Sequence, residues 1–183
     1  RPITFAFNGG PGASSAYLHL GALGPFAVDF GNGRTPPGAG TGRLVDNPDT
    51  WLPFTDLVFI DPVGTGYSRA ASDVKDVAKE FWGVRQDLDA MGQTIRRALT
   101  HLDRLTSPVY LVGESYGGFR AARLVEQLPT DQGIKVSGAV LVSPVLEFAL
   151  QGGGEFSPLP WALRLPSYAA VNLDLQGELK PEA

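Results

Sequence analysis

The chain contains no cysteine among its 183 residues. Disulfides, thiolate nucleophiles and cysteine-held metals are therefore excluded for it. Histidine is almost as scarce: His19 and His101 are the only two, too few for a histidine-rich metal site. No apolar run reaches the ~18 residues of a membrane-spanning helix. Basic residues number 15 against 19 acidic ones, a formal charge of −4, with no long run of one sign. That balance lacks the footprint of a nucleic-acid-binding surface. The sequence opens without an initiator methionine or a signal peptide and closes in no recognisable motif, so both ends read as cut and no leader fixes a compartment.

What is present suits one globular domain. Hydrophobic residues make up 43% and charged residues 19% of the chain, enough apolar content for a core. Glycine (23) and proline (15) together are plentiful, so many tight turns are expected. Residues 3–7 (I-T-F-A-F), 57–60 (L-V-F-I), 109–112 (V-Y-L-V) and 136–142 (V-S-G-A-V-L-V) are short apolar, β-branched or aromatic runs, the pattern of strands buried on both faces. Residues 58–60, 110–112 and 139–142 are expected to be adjacent and parallel. Val77, Phe81, Val84, Leu88, Met91, Ile95, Leu99 and Leu102 recur at helical spacing and predict one long helix ended at Pro108. A short helix is expected within 13–23, and another over 119–128, stopped by Pro129. Residues 31–42 read as a surface excursion. The alternation of strands and helices argues for an α/β fold with a mostly parallel sheet and flanking helices.

Two loops carry the chemistry. Gly113-Glu114-Ser115-Tyr116-Gly117 follows a buried strand and precedes a helix, the setting of a nucleophile elbow with Ser115 at its tip. The alternative is a strand-to-helix turn with an inert serine. The run N-G-G-P-G, Asn8 to Gly12, follows the first strand. Acyl transfer needs two backbone N–H donors around the developing oxyanion. The residue after the nucleophile, Tyr116, offers one, and the glycine-rich loop, at Gly10, the other. The alternative here is an ordinary Gly-Pro turn.

Taken together, N-G-G-P-G-A-S-S, V-D-N-P-D-T-W, D-L-V-F-I-D-P-V-G-T-G-Y-S and G-E-S-Y-G-G resemble the serine carboxypeptidase family of the α/β-hydrolase superfamily, in the right order and with details closer to its bacterial members. The resemblance covers residues 5–128 in pieces and leaves 31–42 unmatched. It implies Ser115 as nucleophile, the N–H groups of Gly10 and Tyr116 as the oxyanion hole, Asn8 and Glu114 as binders of the substrate's terminal carboxylate, and Asp61 to Tyr67 as a wall of the site. Glu114 has a second reading, a structural residue bonded to loop N–H groups. Two departures stand out: Ala13 replaces the family's usual cysteine, and Ala22 replaces a glutamate that often pairs with the one at the elbow. The triad aspartate and histidine lie later in the family's chain than this sequence extends. His19 and His101 both precede Ser115, and Asp131 and Asp174 stand in no acid-loop context.

The expectation is therefore a partial α/β-hydrolase domain over 1–183, incomplete at its C-terminal side, with 144–183 the start of a lid or insertion. Its activity would be removal of C-terminal amino acids from peptides with a free C-terminus, through an acyl-enzyme on Ser115, and the fragment alone would be inactive. No metal or organic cofactor is called for, and no nucleic-acid or membrane partner. A secreted or periplasmic location is implied only by the resemblance. The rival readings are another α/β-hydrolase, such as an aminopeptidase or acyltransferase, or a non-catalytic binding domain.

Overall fold

The computed structural model describes residues 1–31, 42–152 and 157–178. They fall into two compact units, Arg1–Pro144 and Val145–Ala183. In the first, strands β1 (Ile3–Phe7), β4 (Asp56–Phe59), β5 (Val109–Glu114) and β6 (Val136–Val142) form one sheet in the order β4-β1-β5-β6. Every pairing in it is parallel. A separate antiparallel ribbon pairs β2 (Phe26–Asp29) with β3 (Arg43–Asp46). The excursion expected over 31–42 falls mostly outside the described residues.

Both faces of the central strand β1 are covered, as its continuous apolar run requires. Because side chains alternate along a strand, Ile3, Phe5 and Phe7 of β1 point to one side. There they pack with Val109 and Leu111 against α3 (Val84–His101) and α4 (Tyr116–Gln127), through Leu88, Met91, Ile95, Leu99, Ala121 and Leu124. Ala6 and Val112 face the other side, where Leu18 and Leu23 cover them. These two come from α1 (Ala16–Leu18) and the π-helical turn His19–Leu23 that continues it. Thr4, the polar residue of β1, is buried and bonds the Thr55 hydroxyl at 2.8 Å. Truncating a core side chain such as Ile95 would cost on the order of 2–5 kcal/mol.

Several sequence expectations change in detail. The runs at 57–60 and 109–112 are not neighbours, because β1 lies between them. All five of its residues are buried, and a strand covered on both faces and paired on both edges takes the middle of a sheet. The run at 136–142 is a strand but not a buried one: Val140, Leu141 and Val142 are 44%, 37% and 40% exposed. Among the described residues β6 pairs only with β5, so it forms an edge. The single helix expected from Val77 is two, α2 (Val77–Phe81) and α3. Gly83 is extended (φ −73°, ψ 151°) and caps α3. Next to it, the Trp82 indole N–H donates to the Val63 carbonyl at 3.1 Å. A side-chain anchor beside a weak helix former breaks a periodic pattern that sequence alone reads as continuous. Pro129 likewise does not end the helical path: α4 passes into a π-helical turn, Leu128–Gln132, closed by Gly133 in the left-handed conformation.

The second unit holds α5 (Ala149–Gly152) and α6 (Leu159–Leu175), with Pro166 inside α6. Arg164 of α6 donates to the Gln151 carbonyl at 2.8 Å. No helix among the described residues is long and apolar enough to cross a membrane.

Candidate active site

Strand register alone brings the two chemical loops together. β1 and β5 run parallel with Phe7 opposite Gly113, so the next residues, Asn8 and Glu114, leave the sheet side by side. β6 ends with Val142 opposite Glu114, and the Ser115 N–H donates to the Val142 carbonyl at 2.9 Å. β4 pairs Phe59 with Ala6, so Ile60 and Asp61 emerge at the same place. All four loops thus leave from the carboxyl ends of parallel strands, where open α/β sheets gather their sites.

Ser115 sits at the turn from β5 into α4 with φ 59° and ψ −122°. A non-glycine residue there costs roughly 1–3 kcal/mol and persists only when its surroundings enforce it. The enforcement is visible on both sides of the turn. A Cβ on Gly113 would lie 1.9 Å from the Gly117 carbonyl oxygen, and one on Gly117 would lie 2.5 Å from the Phe7 oxygen. Only glycine lets the chain double back so tightly against β1.

The Asn8–Gly12 loop packs directly on this elbow. A Cβ on Gly9 would lie 2.5 Å from the Tyr116 nitrogen, 2.7 Å from the Glu114 oxygen and 2.9 Å from the Gly117 nitrogen. Gly9 is therefore the residue that brings the loop backbone against the elbow, a role the motif did not separate from that of Gly10. Gly10 itself is exposed, with φ 107°.

Asn8 and Glu114 also meet as side chains: Asn8 Nδ2 donates to Glu114 Oε2 at 3.0 Å. Asn8 is buried, and its Oδ1 accepts from the Leu18 N–H at 3.0 Å. Asp61 ties two loops together, its Oδ1 accepting from the Ser15 N–H at 2.7 Å and its Oδ2 from the Tyr67 N–H at 3.3 Å. The Ser15 hydroxyl in turn donates to the Ile60 carbonyl. Tyr67, at the end of the predicted wall, is almost fully exposed. A cavity of about 330 Å³ opens beside the elbow, lined among others by Gly12, Asp61, Trp82, Tyr116 and Arg120, with Ser115 outside its lining.

The other titratable residues weighed from sequence lie elsewhere. His19 stacks on Phe59, with ring centroids 4.4 Å apart. His101 is exposed in the last turn of α3. Asp131 is exposed and accepts from the Thr130 hydroxyl at 3.1 Å, and Asp174 is exposed on α6 in the second unit.

One feature of the site has no motif. Arg120 of α4 is 1% exposed. Its Nε and Nη2 donate to the two Asp87 oxygens at 2.8 and 3.1 Å, and its Nη1 donates to the Asn8 carbonyl at 2.9 Å. The guanidinium lies 5.1 Å from the Tyr116 ring and 5.7 Å from that of Phe7. Breaking such a buried pair costs about 3–5 kcal/mol, yet replacing both partners with apolar residues is often neutral. Stability alone therefore gives little reason for the pair. The only sequence signal was a charge, Asp87, on the apolar face of a periodic helix. The Tyr116 hydroxyl is held above the usual phenol range, by burial first and by the nearby Asp87 charge second.

Comparison with known proteins places the chain in a family. The chain is 27% identical over 150 residues to serine carboxypeptidase-like 13 of Arabidopsis thaliana, covering 80% of this chain and 33% of that protein. It is 31% identical over 150 residues to a carboxypeptidase Y homolog of Arthroderma benhamiae, covering 78% and 26%. A crystal structure of Kex1(Δ)p, a prohormone-processing carboxypeptidase from Saccharomyces cerevisiae, shares the fold with a TM-score of 0.58 at 23% identity, over 98% of this chain and 40% of that one. The chain thus spans about a third or less of the length of these curated relatives. The sequence model of one family, serine carboxypeptidase, matches residues 1–151, and the chain belongs to the serine carboxypeptidases.

Proposed function

We propose that this chain supplies the nucleophile and oxyanion half of a serine carboxypeptidase. The observation that carries the reading is the close approach of the glycine loop to the elbow, where a Cβ on Gly9 would lie 2.5 Å from the Tyr116 nitrogen, beside a serine held at φ 59°. Ser115 Oγ attacks the last peptide carbonyl of the substrate. The N–H groups of Gly10 and Tyr116 receive the oxyanion as it forms. A histidine from outside these 183 residues takes the serine proton and gives it to the leaving amino acid. Water then hydrolyses the acyl-enzyme and frees Ser115.

Selection for a free C-terminus falls to Asn8 and Glu114. The Asn8 amide has two N–H groups; one goes to Glu114, and the other is offered to a substrate carboxylate oxygen. Residues 144–183 are read as the start of a lid or insertion, supported by the apolar surface of α6, where Trp161 and Leu165 are two-thirds exposed. A secreted or periplasmic compartment is part of the same reading and rests on family membership.

The test uses the full-length protein that contains this chain, with an N-blocked dipeptide acid and the matching C-terminal amide. Wild type is expected to cleave the acid in preference to the amide. Ser115→Ala should lose on the order of 10⁶-fold in kcat. Equal turnover of acid and amide would reassign the protein to another acyl-hydrolase activity, and an active Ser115→Ala would remove the nucleophile.

A further inference from the structure

We propose that Arg120 is a positioning residue for the oxyanion hole, tying the glycine loop and the nucleophile elbow to one rigid group. The inference rests on the reading of Ser115 as nucleophile with Gly10 and Tyr116 as oxyanion donors.

Three elements converge on the Arg120 guanidinium: the end of β1, the first turn of α3 and the first turns of α4. Asp87 takes Nε and Nη2, with both carboxylate oxygens engaged. That fork fixes the plane of the guanidinium, since its N–H groups diverge at set angles. The remaining arm, Nη1, reaches the Asn8 carbonyl at 2.9 Å. This carbonyl belongs to the peptide unit that carries the Gly9 N–H, and the unit is planar. Holding the oxygen therefore sets the direction in which the chain enters Gly9 and Gly10. The oxygen also lies close to the elbow, 2.9 Å from where a Cβ on Gly117 would be. Small rotations of this peptide would thus be felt on both sides.

The same guanidinium rests 5.1 Å from the Tyr116 ring. Tyr116 supplies the second oxyanion donor through its backbone N–H. Arg120 therefore touches the residue at the root of one donor loop and the residue that bears the other donor. The remaining fixings of Asn8 come from different quarters: its N–H donates to Ser15 Oγ at 3.3 Å, and its side chain bonds Leu18 and Glu114. None of these acts on the carbonyl that leads into Gly9. A lysine at 120 would keep the charge but not the geometry, because an ammonium cannot hold both Asp87 oxygens in a plane and still aim a separate donor at Asn8.

The experiment separates positioning from simple stabilisation. Wild type, Arg120→Lys, the double variant Asp87→Asn/Arg120→Met and Ser115→Ala are prepared in the full-length protein. Active sites are counted by fluorophosphonate titration, so kcat refers to folded enzyme only. Arg120→Lys and the double variant are expected to lose about tenfold to a hundredfold in kcat, the scale of a sub-ångström to 1 Å misplacement at a reacting centre. KM for the blocked dipeptide acid should change by less than about threefold, since carboxylate recognition by Asn8 and Glu114 is retained. The double variant should melt close to wild type, with no buried charge left unpaired. A kcat per active site equal to wild type in Arg120→Lys would overturn the proposal, leaving Arg120 a structural residue. So would a loss of kcat matched by an equal factor in KM. Arg120→Lys decides the matter even if the double variant fails to fold. Retained turnover in Ser115→Ala would instead strike down the functional reading beneath it.

Discussion

Replacing Gly9 with alanine puts a methyl group where the structure has no room for it. The new Cβ would stand 2.5 Å from the Tyr116 nitrogen, 2.7 Å from the Glu114 oxygen and 2.9 Å from the Gly117 nitrogen. Favourable contacts begin at roughly 3.5 Å, so about 1 Å of separation must be found. All three neighbours are backbone atoms, and no side chain can swing away to make room. The elbow is held by β5, by α4 and by the Ser115 N–H bond to Val142, so the loop must move. Overpacking of this kind costs about 1–3 kcal/mol. The unfolded chain loses some freedom with alanine, which returns about 0.4–1 kcal/mol, so the net destabilisation is modest. The catalytic effect is larger, because moving the loop by about 1 Å takes one oxyanion donor out of line. Losing such a donor costs about 10²–10³ in kcat. The assay compares kcat per titrated active site and the melting temperature for Gly9→Ala and for Gly21→Ala in the full-length protein. At Gly21 a Cβ meets nothing within 4 Å, so that control should keep wild-type kcat. Gly9→Ala with wild-type kcat would refute the placement of this loop in the oxyanion hole.

Three further outcomes are expected. The 183-residue chain alone should show peptidase turnover lower by on the order of 10⁶ than the full-length protein, because His19 is stacked on Phe59 and His101 lies at the end of α3; steady turnover of a blocked dipeptide by the chain itself would contradict this. In alkaline difference spectroscopy, the Tyr116→Phe variant should lose one phenol that titrates above the usual range, since burial and then Asp87 hold that hydroxyl protonated. The folded value is raised, so this contribution to stability is intact below about pH 10 and is lost as pH rises further; an unchanged late phase in Tyr116→Phe would reject the assignment. Asp56 is held below the usual carboxylate range, first by its hydrogen bond from Arg104 and then by the Arg1 and Arg104 charges. Its stabilisation is present above about pH 3.9 and lost as pH falls through the depressed value, so melting temperature measured from pH 7 to 2 should fall less steeply in Asp56→Asn than in wild type.

Local patterns along the chain are enough to pick out the residues of the chemical loops and the kind of sheet that carries them. Short apolar runs, helical periodicity between them and a G-x-S-x-G turn are local signals, and each depends only on neighbours along the chain. They were enough to place Ser115 at the junction of β5 and α4 and to foresee a parallel sheet. The strand order depends on long-range packing. β1 lies between β4 and β5, a consequence of its burial on both faces, and that register sets Asn8 beside Glu114 across 106 residues of sequence. The split between α2 and α3 falls at extended Gly83, next to a tryptophan whose indole reaches the Val63 carbonyl, a contact no periodicity records. Among the described residues β6 pairs only with β5, and the exposure of Val140, Leu141 and Val142 is not written in their composition. Asp87 and Arg120 stand on two different helices, 33 residues apart in sequence. A buried ion pair exists only where packing removes water from both partners at once, and here the helices bring that pair against the carbonyl that leads into the glycine loop.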